Sequence, residues 1–208
     1  MPGMSRCAFS IGILVAGVAA GSITFGLVRS NLRRVRLHEG AEQVAITRDE
    51  ILAAGVPIVG SARGSYILVE ALDYHCPFCQ RANRDLKKLL KTRIGSLAFS
   101  VLQLPIPSHP FSREYSRLAI EASLRGEYWS IHDILFERAK AGSTPQSVVA
   151  GSGENWHIQG GDPRIEKYLE AQVRIGKKAN LDSTPSFLLC EPNGKVYRIA
   201  SIDSLQYL

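Results

Sequence analysis

Apolar positions along the chain change period in a regular order. Tyr66-Ile67-Leu68-Val69-Glu70-Ala71-Leu72 is a nearly unbroken apolar run bounded by Gly64-Ser65, and its length and branched residues predict a buried strand. Leu86, Leu89 and Leu90 then share one helical face, with Lys87, Lys88 and Lys91 on the other. That helix opens at Cys76-Pro77, where a first-turn proline gives up no hydrogen bond, and ends at Gly95. Leu97-Ala98-Phe99-Ser100-Val101-Leu102 predicts a second strand. Strand, helix and strand in this order make a βαβ unit, so the two strands run parallel and the class is α/β.

A helical stretch follows. Tyr115, Leu118, Ala119 and Ala122 recur at helical spacing, Gly126 interrupts them, and Trp129, His132 and Phe136 resume. Trp129 and His132 fit packing roles better than ligand roles. Residues 141–161 are rich in Gly, Ser and Asn and show no clear period. Asp162-Pro163 reads as a helix N-cap and a first-turn proline, with Ile165, Tyr168, Leu169 and Val173 on the buried face. Residues 186–190 and 195–199, joined by Glu191-Pro192-Asn193-Gly194, read as a β-hairpin. Residues 201–208 allow two turns of helix. Upstream, Thr47 with Glu50 three residues on is a capping box for a short helix that stops at Gly55-Val56-Pro57.

Residues 8–28 carry no charge, while Arg6 precedes them and Arg29, Arg33, Arg34 and Arg36 follow. The run is about long enough to span a bilayer. Small residues at Val18-Ala19-Ala20 also permit cleavage before Gly21 as a signal peptide; an uncleaved anchor is slightly favoured. Its glycines and the lack of a polar stripe count against a soluble core helix. The arginines on its C-terminal flank would by themselves hold the following domain in the cytoplasm, whereas the cysteine chemistry below argues for export. Cys7 precedes the run, unlike a lipoprotein cleavage site, where the cysteine follows. The expected organisation is therefore a signal or anchor at 1–28, a charged linker with a short helix at 29–58, and one domain at 59–208.

With 45% hydrophobic and 21% charged residues, most of the chain can bury a globular core. The net charge of +6 favours anionic membrane surfaces. The Lys and Arg are dispersed and no dense basic run has interleaved aromatics, so nucleic-acid binding is not expected.

The chemistry concentrates at Cys76-Pro77-Phe78-Cys79. The first thiol lies at a helix N-terminus, where unpaired N–H groups and the dipole favour an anion, and the thiolate is the attacking species. The spacing brings the second sulfur within bonding range on one turn, and Pro77 stiffens the loop. A structural zinc site needs four ligands; Cys7 and Cys190 are solitary, no His-x-x-x-His pair occurs, and no metal or cofactor is expected. Cys190, in an apolar strand, fits an inert core thiol. Glu70 is the odd residue of its strand. A buried carboxylate there, six residues before Cys76, would have a raised pKa and could exchange protons with Cys79. His75 is open to two readings, a cation beside the thiolate or a solvent-exposed ring. Pro185, in Ser183-Thr184-Pro185-Ser186, enters a strand, a place where a cis peptide would be a deliberate feature.

Glu70-Ala71-Leu72-Asp73-Tyr74-His75-Cys76-Pro77-Phe78-Cys79 resembles the active-site strand and helix of DsbA-like thiol:disulfide interchange proteins. Asp182-Ser183-Thr184-Pro185-Ser186-Phe187 looks like that family's cis-proline loop, and residues 128–136 resemble part of its helical insert. The resemblance runs from about Val59 to the end. It implies a thioredoxin fold with a helical insertion at about 110–180. It also implies Cys76 as exposed nucleophile, Cys79 as resolving thiol, Glu70 as buried acid and Pro185 facing the sulfurs. Thr184 would offer backbone hydrogen bonds to an extended substrate, with Pro77, Phe78 and His75 around it. Two departures stand out. Pro-Phe replaces the Pro-His of strongly oxidising members, and the C-terminal segment is short.

The expected function is thiol–disulfide exchange with protein thiols in the bacterial periplasm, as an oxidase in disulfide formation, with a membrane partner that recycles the cysteines. A reductase or isomerase is the alternative within the class. A soft-metal protein binding copper through both thiolates, or a non-catalytic membrane-tethered peptide binder, is the alternative outside it.

Overall fold

The computed structural model describes residues 38, 40–63, 65–92, 97–139, 143–150 and 161–207. The apolar run at 8–28 and its arginines lie outside them. Among the described residues no helix is long and apolar enough to cross a membrane. In chain order the elements are β1 (Glu42–Gln43), α1 (Arg48–Ala53), β2 (Ile58–Val59), β3 (Tyr66–Leu72), α2 (Pro77–Thr92), β4 (Leu97–Gln103) and α3 (Ser112–Leu124). Then come α4 (Tyr128–Arg138), α5 (Pro145–Ala150), α6 (Pro163–Lys178), β5 (Ser186–Cys190), β6 (Val196–Ile199) and a 3-10 helix at Ile202–Tyr207.

The strands form one six-stranded sheet in the order β1-β6-β5-β3-β4-β2. β3 runs parallel to β4, with Glu70 opposite Val101, and antiparallel to β5, with Glu70 opposite Phe187. Pairing on both sides explains the apolar sequence of β3, which has helices over both faces. Alternation splits it: Ile67, Val69 and Ala71 enter one core with Leu102, Leu188, Ile175 and Ala179. Leu68, Glu70 and Leu72 face the other way, the side on which Leu86 of α2, Phe99 of β4 and Trp129 of α4 line one cavity. The α/β class and the thioredoxin fold expected from the sequence are both present.

Four helices occupy the described residues between β4 and β5. The N-cap that starts α6 is the expected one: Asp162 accepts from Arg164 N–H, and Pro163 sits in the first turn. α6 has two apolar ends. Ile165 and Leu169 pack with Ile120 of α3, while Ile175 enters the main core. One helix thereby joins the inserted helices to the sheet.

Residues 40–58, expected as linker and short helix, are more than that. β1 pairs with β6 and β2 with β4 at the two sheet edges, and Val44, Ile46, Ile51 and Ala54 belong to the main core. Charge-rich composition hid this, because two-residue edge strands leave too short a pattern to read. The Thr47–Glu50 capping box is formed as expected.

Gly55, which ends α1, has a φ of +69°, and a Cβ there would lie 2.6 Å from the Tyr168 ring. Gly55→Ala is expected to cost about 2–4 kcal/mol of stability, from left-handed strain plus overpacking, measured by urea unfolding. A loss under about 1 kcal/mol would show that Tyr168 yields freely.

Candidate active site

The candidate site forms where β3 ends and α2 begins. Cys76 closes the turn after β3: its N–H donates to Asp73 O at 3.0 Å, and its carbonyl accepts from Gln80 N–H at 3.2 Å. Pro77 is the first residue of α2, and no acidic residue occupies that helix's first turn. The positive end of the helix therefore meets the Cys76 sulfur with no acidic side chain in that turn. The Cys76 thiol donates to the Thr184 carbonyl at 3.1 Å, and the Thr184–Pro185 peptide is cis. Two segments 108 residues apart thus meet at the sulfur.

Cys79 lies fully buried behind it, and no disulfide joins the two in this structure. Burial pushes the Cys79 thiol well up, and Glu70 pushes it the same way. Glu70 is itself fully buried, and neither carboxylate oxygen has a hydrogen-bond partner among the described residues. Burial raises its carboxyl to about 8, and Cys76 adds to the rise. Glu70 therefore holds a proton near neutral pH, beside a thiol that gives its own up reluctantly.

One expectation needs correcting. Cys76, expected as an exposed nucleophile, is only 3% exposed, because its sulfur is turned onto the Thr184 carbonyl. A reacting partner must displace that contact. Phe78 is exposed, at 59%, with the Arg81 guanidinium 4.6 Å from its ring centre. Pro77 is exposed, while Thr184 and Pro185 are half-buried. His75 packs 4.7 Å from the Tyr115 ring. Burial lowers its pKa, against a smaller opposite pull from Asp73, so its ring is neutral at pH 7 and supplies no cation to Cys76. Cys190 is buried, and burial pushes its thiol to about 12, as befits a core residue.

Two features escaped the sequence. Asp73 is buried, and its carboxylate accepts from His75 N–H at 2.8 Å, Ile106 N–H at 2.8 Å and the Ser112 hydroxyl, with His109 Nδ1 at 3.0 Å. The second is a polar network. The Tyr74 hydroxyl lies 3.1 Å from both the Tyr128 hydroxyl and His132 Nδ1, and Gln103 Nε2 donates to the Tyr128 hydroxyl at 3.2 Å. His132 is thus a packing residue with polar partners, its pKa lowered by burial to about 4. A carboxylate at the end of an apolar strand was the available signal for Asp73, but three of its four partners lie over thirty residues on.

Residues 53–207 match a thioredoxin family model. The chain belongs to the thioredoxin family. Two curated relatives are sodium/proton antiporters. NhaA 1 of Salinispora arenicola is 29% identical over 196 residues, covering 86% of this chain and 29% of that protein. NhaA 3 of Salinispora tropica is 29% identical over 133 residues, covering 60% and 20%. The chain thus spans less than a third of the length of either. A thioredoxin-like oxidoreductase from Silicibacter pomeroyi DSS-3 has a similar fold, with a TM-score of 0.62 at 20% identity over 76% of this chain and 93% of that one. A periplasmic thioredoxin-like protein from Salmonella enterica serovar Typhimurium gives 0.60 at 17%, over 75% and 91%. Pseudomonas aeruginosa DsbA2 gives 0.56 at 18%, over 70% and 85%. Family and fold bear out the thioredoxin fold that the resemblance implied.

Because the folded-state pKa of Glu70 is raised to about 8 from 4.5, folding favours the protonated acid. Its contribution is full below about pH 4.5 and is lost as pH rises towards 8. Glu70→Leu is therefore expected to flatten the pH dependence of stability of the reduced protein. Relative to wild type it should gain about 2–4 kcal/mol between pH 5 and pH 8, measured by urea unfolding at both. Parallel curves for the two proteins would show that Glu70 is not the titrating group.

Proposed function

We propose that the protein exchanges disulfides with protein thiols on the outer side of a membrane, acting as an oxidase. The observation that carries this is the placement of Cys76 at the N-terminus of α2, against the Thr184 carbonyl, with Cys79 and Glu70 buried behind it. With the pair oxidised, a substrate thiolate attacks the Cys76 sulfur and breaks the Cys76–Cys79 bond. A mixed disulfide forms, and Cys79 leaves as a thiolate. Glu70, protonated near neutral pH, supplies the proton that Cys79 requires. A second substrate thiolate then attacks its partner sulfur, releases Cys76 and leaves the substrate with a disulfide. Two electrons pass from substrate to protein, and an oxidising membrane partner must remove them.

In this reading Cys76 is the nucleophile, Cys79 the resolving thiol and Glu70 the proton carrier. Thr184 and Pro185 present backbone to an extended peptide, while Pro77 and Phe78 offer it an apolar rim. The half-buried His75 flanks the pair. The similarity to one stretch of much longer membrane antiporters, the periplasmic structural relative and the uncharged run at 8–28 support action at a membrane's extracytoplasmic face. Copper handling would rest on the two thiolates alone: among the described residues no group of three or more candidate ligands gathers.

Equilibration of the pair with glutathione decides the direction of electron flow. A potential near about −120 mV marks a disulfide donor and one near about −270 mV a reductant. Cys76→Ser should abolish exchange, while Cys79→Ser should accumulate the mixed disulfide, resolved on a non-reducing gel. Exchange by C76S at the wild-type rate would end this mechanism.

A further inference from the structure

We propose that Asp73 is a positioning residue for disulfide exchange, holding the turn that carries Cys76 in register with the loop at residues 105–112. This rests on the function proposed above. Asp73 is engaged at the site through its carbonyl and its carboxylate. Its carbonyl accepts the Cys76 N–H at 3.0 Å. Its carboxylate gathers the N–H of His75, the N–H of Ile106, the Ser112 hydroxyl and His109 Nδ1. One residue thereby joins the turn that carries Cys76 to the start of α3.

A neutral side chain cannot satisfy that set. Two of the donors are backbone N–H groups, on opposite carboxylate oxygens. A buried donor left unpaired costs about 1–3 kcal/mol, so the turn carrying Cys76 and the loop before α3 are fixed together. The charge has a second effect. A buried anion three residues from Cys76 opposes its thiolate, and therefore opposes the reduced form of the pair. His109, when protonated, offsets that anion. On the intervening His75 the two act with opposite signs: Asp73 raises its pKa and His109 lowers it.

A purely structural residue would weaken the oxidised and reduced proteins equally and leave the redox equilibrium unchanged. The test is the equilibrium constant with glutathione for the full chain, together with the Cys76 thiolate titration followed by ultraviolet absorbance. Asp73→Asn keeps the side-chain size but removes the charge. It is expected to move the constant about tenfold towards a stronger oxidant, about 30 mV, and to shift the thiolate titration to lower pH. A constant within about twofold of wild type, or a shift towards a weaker oxidant, would overturn the proposal.

Should D73N fail to fold, His109→Gln decides. His109 is partly exposed, with 28% of its side chain accessible. Compared at about pH 5.5, H109Q removes the ring whose Nδ1 lies 3.0 Å from the Asp73 carboxylate. Asp73 and His75 remain as the titratable groups facing it. H109Q should shift the constant in the opposite sense, towards a weaker oxidant; no shift, or a shift the other way, overturns the proposal. A wild-type protein without any redox equilibrium would instead sink the proposed function and this inference with it. Null variants beside an active wild type sink this inference alone.

Discussion

A thiol donating to a carbonyl at 3.1 Å is a weak bond, yet the rest of the site is arranged to produce it. Cys76 must sit where α2 starts, and Thr184 where β5 is about to begin. β5 pairs directly with β3, so the strand that delivers the cysteines and the strand entered from Thr184-Pro185 are neighbours in the sheet. The parallel β3–β4 pair requires a helix between its strands, and that helix supplies the positive end under the sulfur. The fold brings together, in one small volume, a nucleophile and a backbone acceptor from distant parts of the chain.

Two buried carboxylates flank the pair, and their surroundings differ in kind. Glu70 has no donors among the described residues, and burial drives it towards the neutral acid. Asp73, three residues on, is surrounded by donors. The neutral acid can carry a proton and the charged one can organise a turn. Exchanging their environments would leave a fixed charge against Cys79 and nothing to hold the loop at 105–112.

Much of this was legible in the sequence because the signals were local. The βαβ pattern, the Asp162-Pro163 start of α6 and the hairpin at 186–199 each depend on residues a few positions apart. Glu70 was legible for the same reason: a lone carboxylate within an apolar strand breaks a local rule. The rest was not. The edge strands at 42–43 and 58–59 are two residues each and carry no period. The partners of Asp73 are at 106, 109 and 112, and those of Tyr74 at 128 and 132; only the folded chain pairs them. The low exposure of Cys76 follows from where the Thr184 carbonyl points, which spacing does not encode.

Those long-range pairings also decide how the site can open. On one side, Tyr74 is tied to Tyr128 and His132 of α4, Gln103 to Tyr128, and Gln172 of α6 to both Gln103 N–H and the Ala54 carbonyl. All of these groups are buried, so swinging the inserted helices away would strand several polar atoms at about 1–3 kcal/mol each. On the other side, the segment with Thr184 and Pro185 is half-exposed and meets Cys76 through a single thiol hydrogen bond. An incoming sulfur gains access more cheaply by displacing that one bond than by moving the helices. Under the proposed function a substrate peptide would enter along Thr184 and Pro185, where its backbone can take up the contact the thiol gives up.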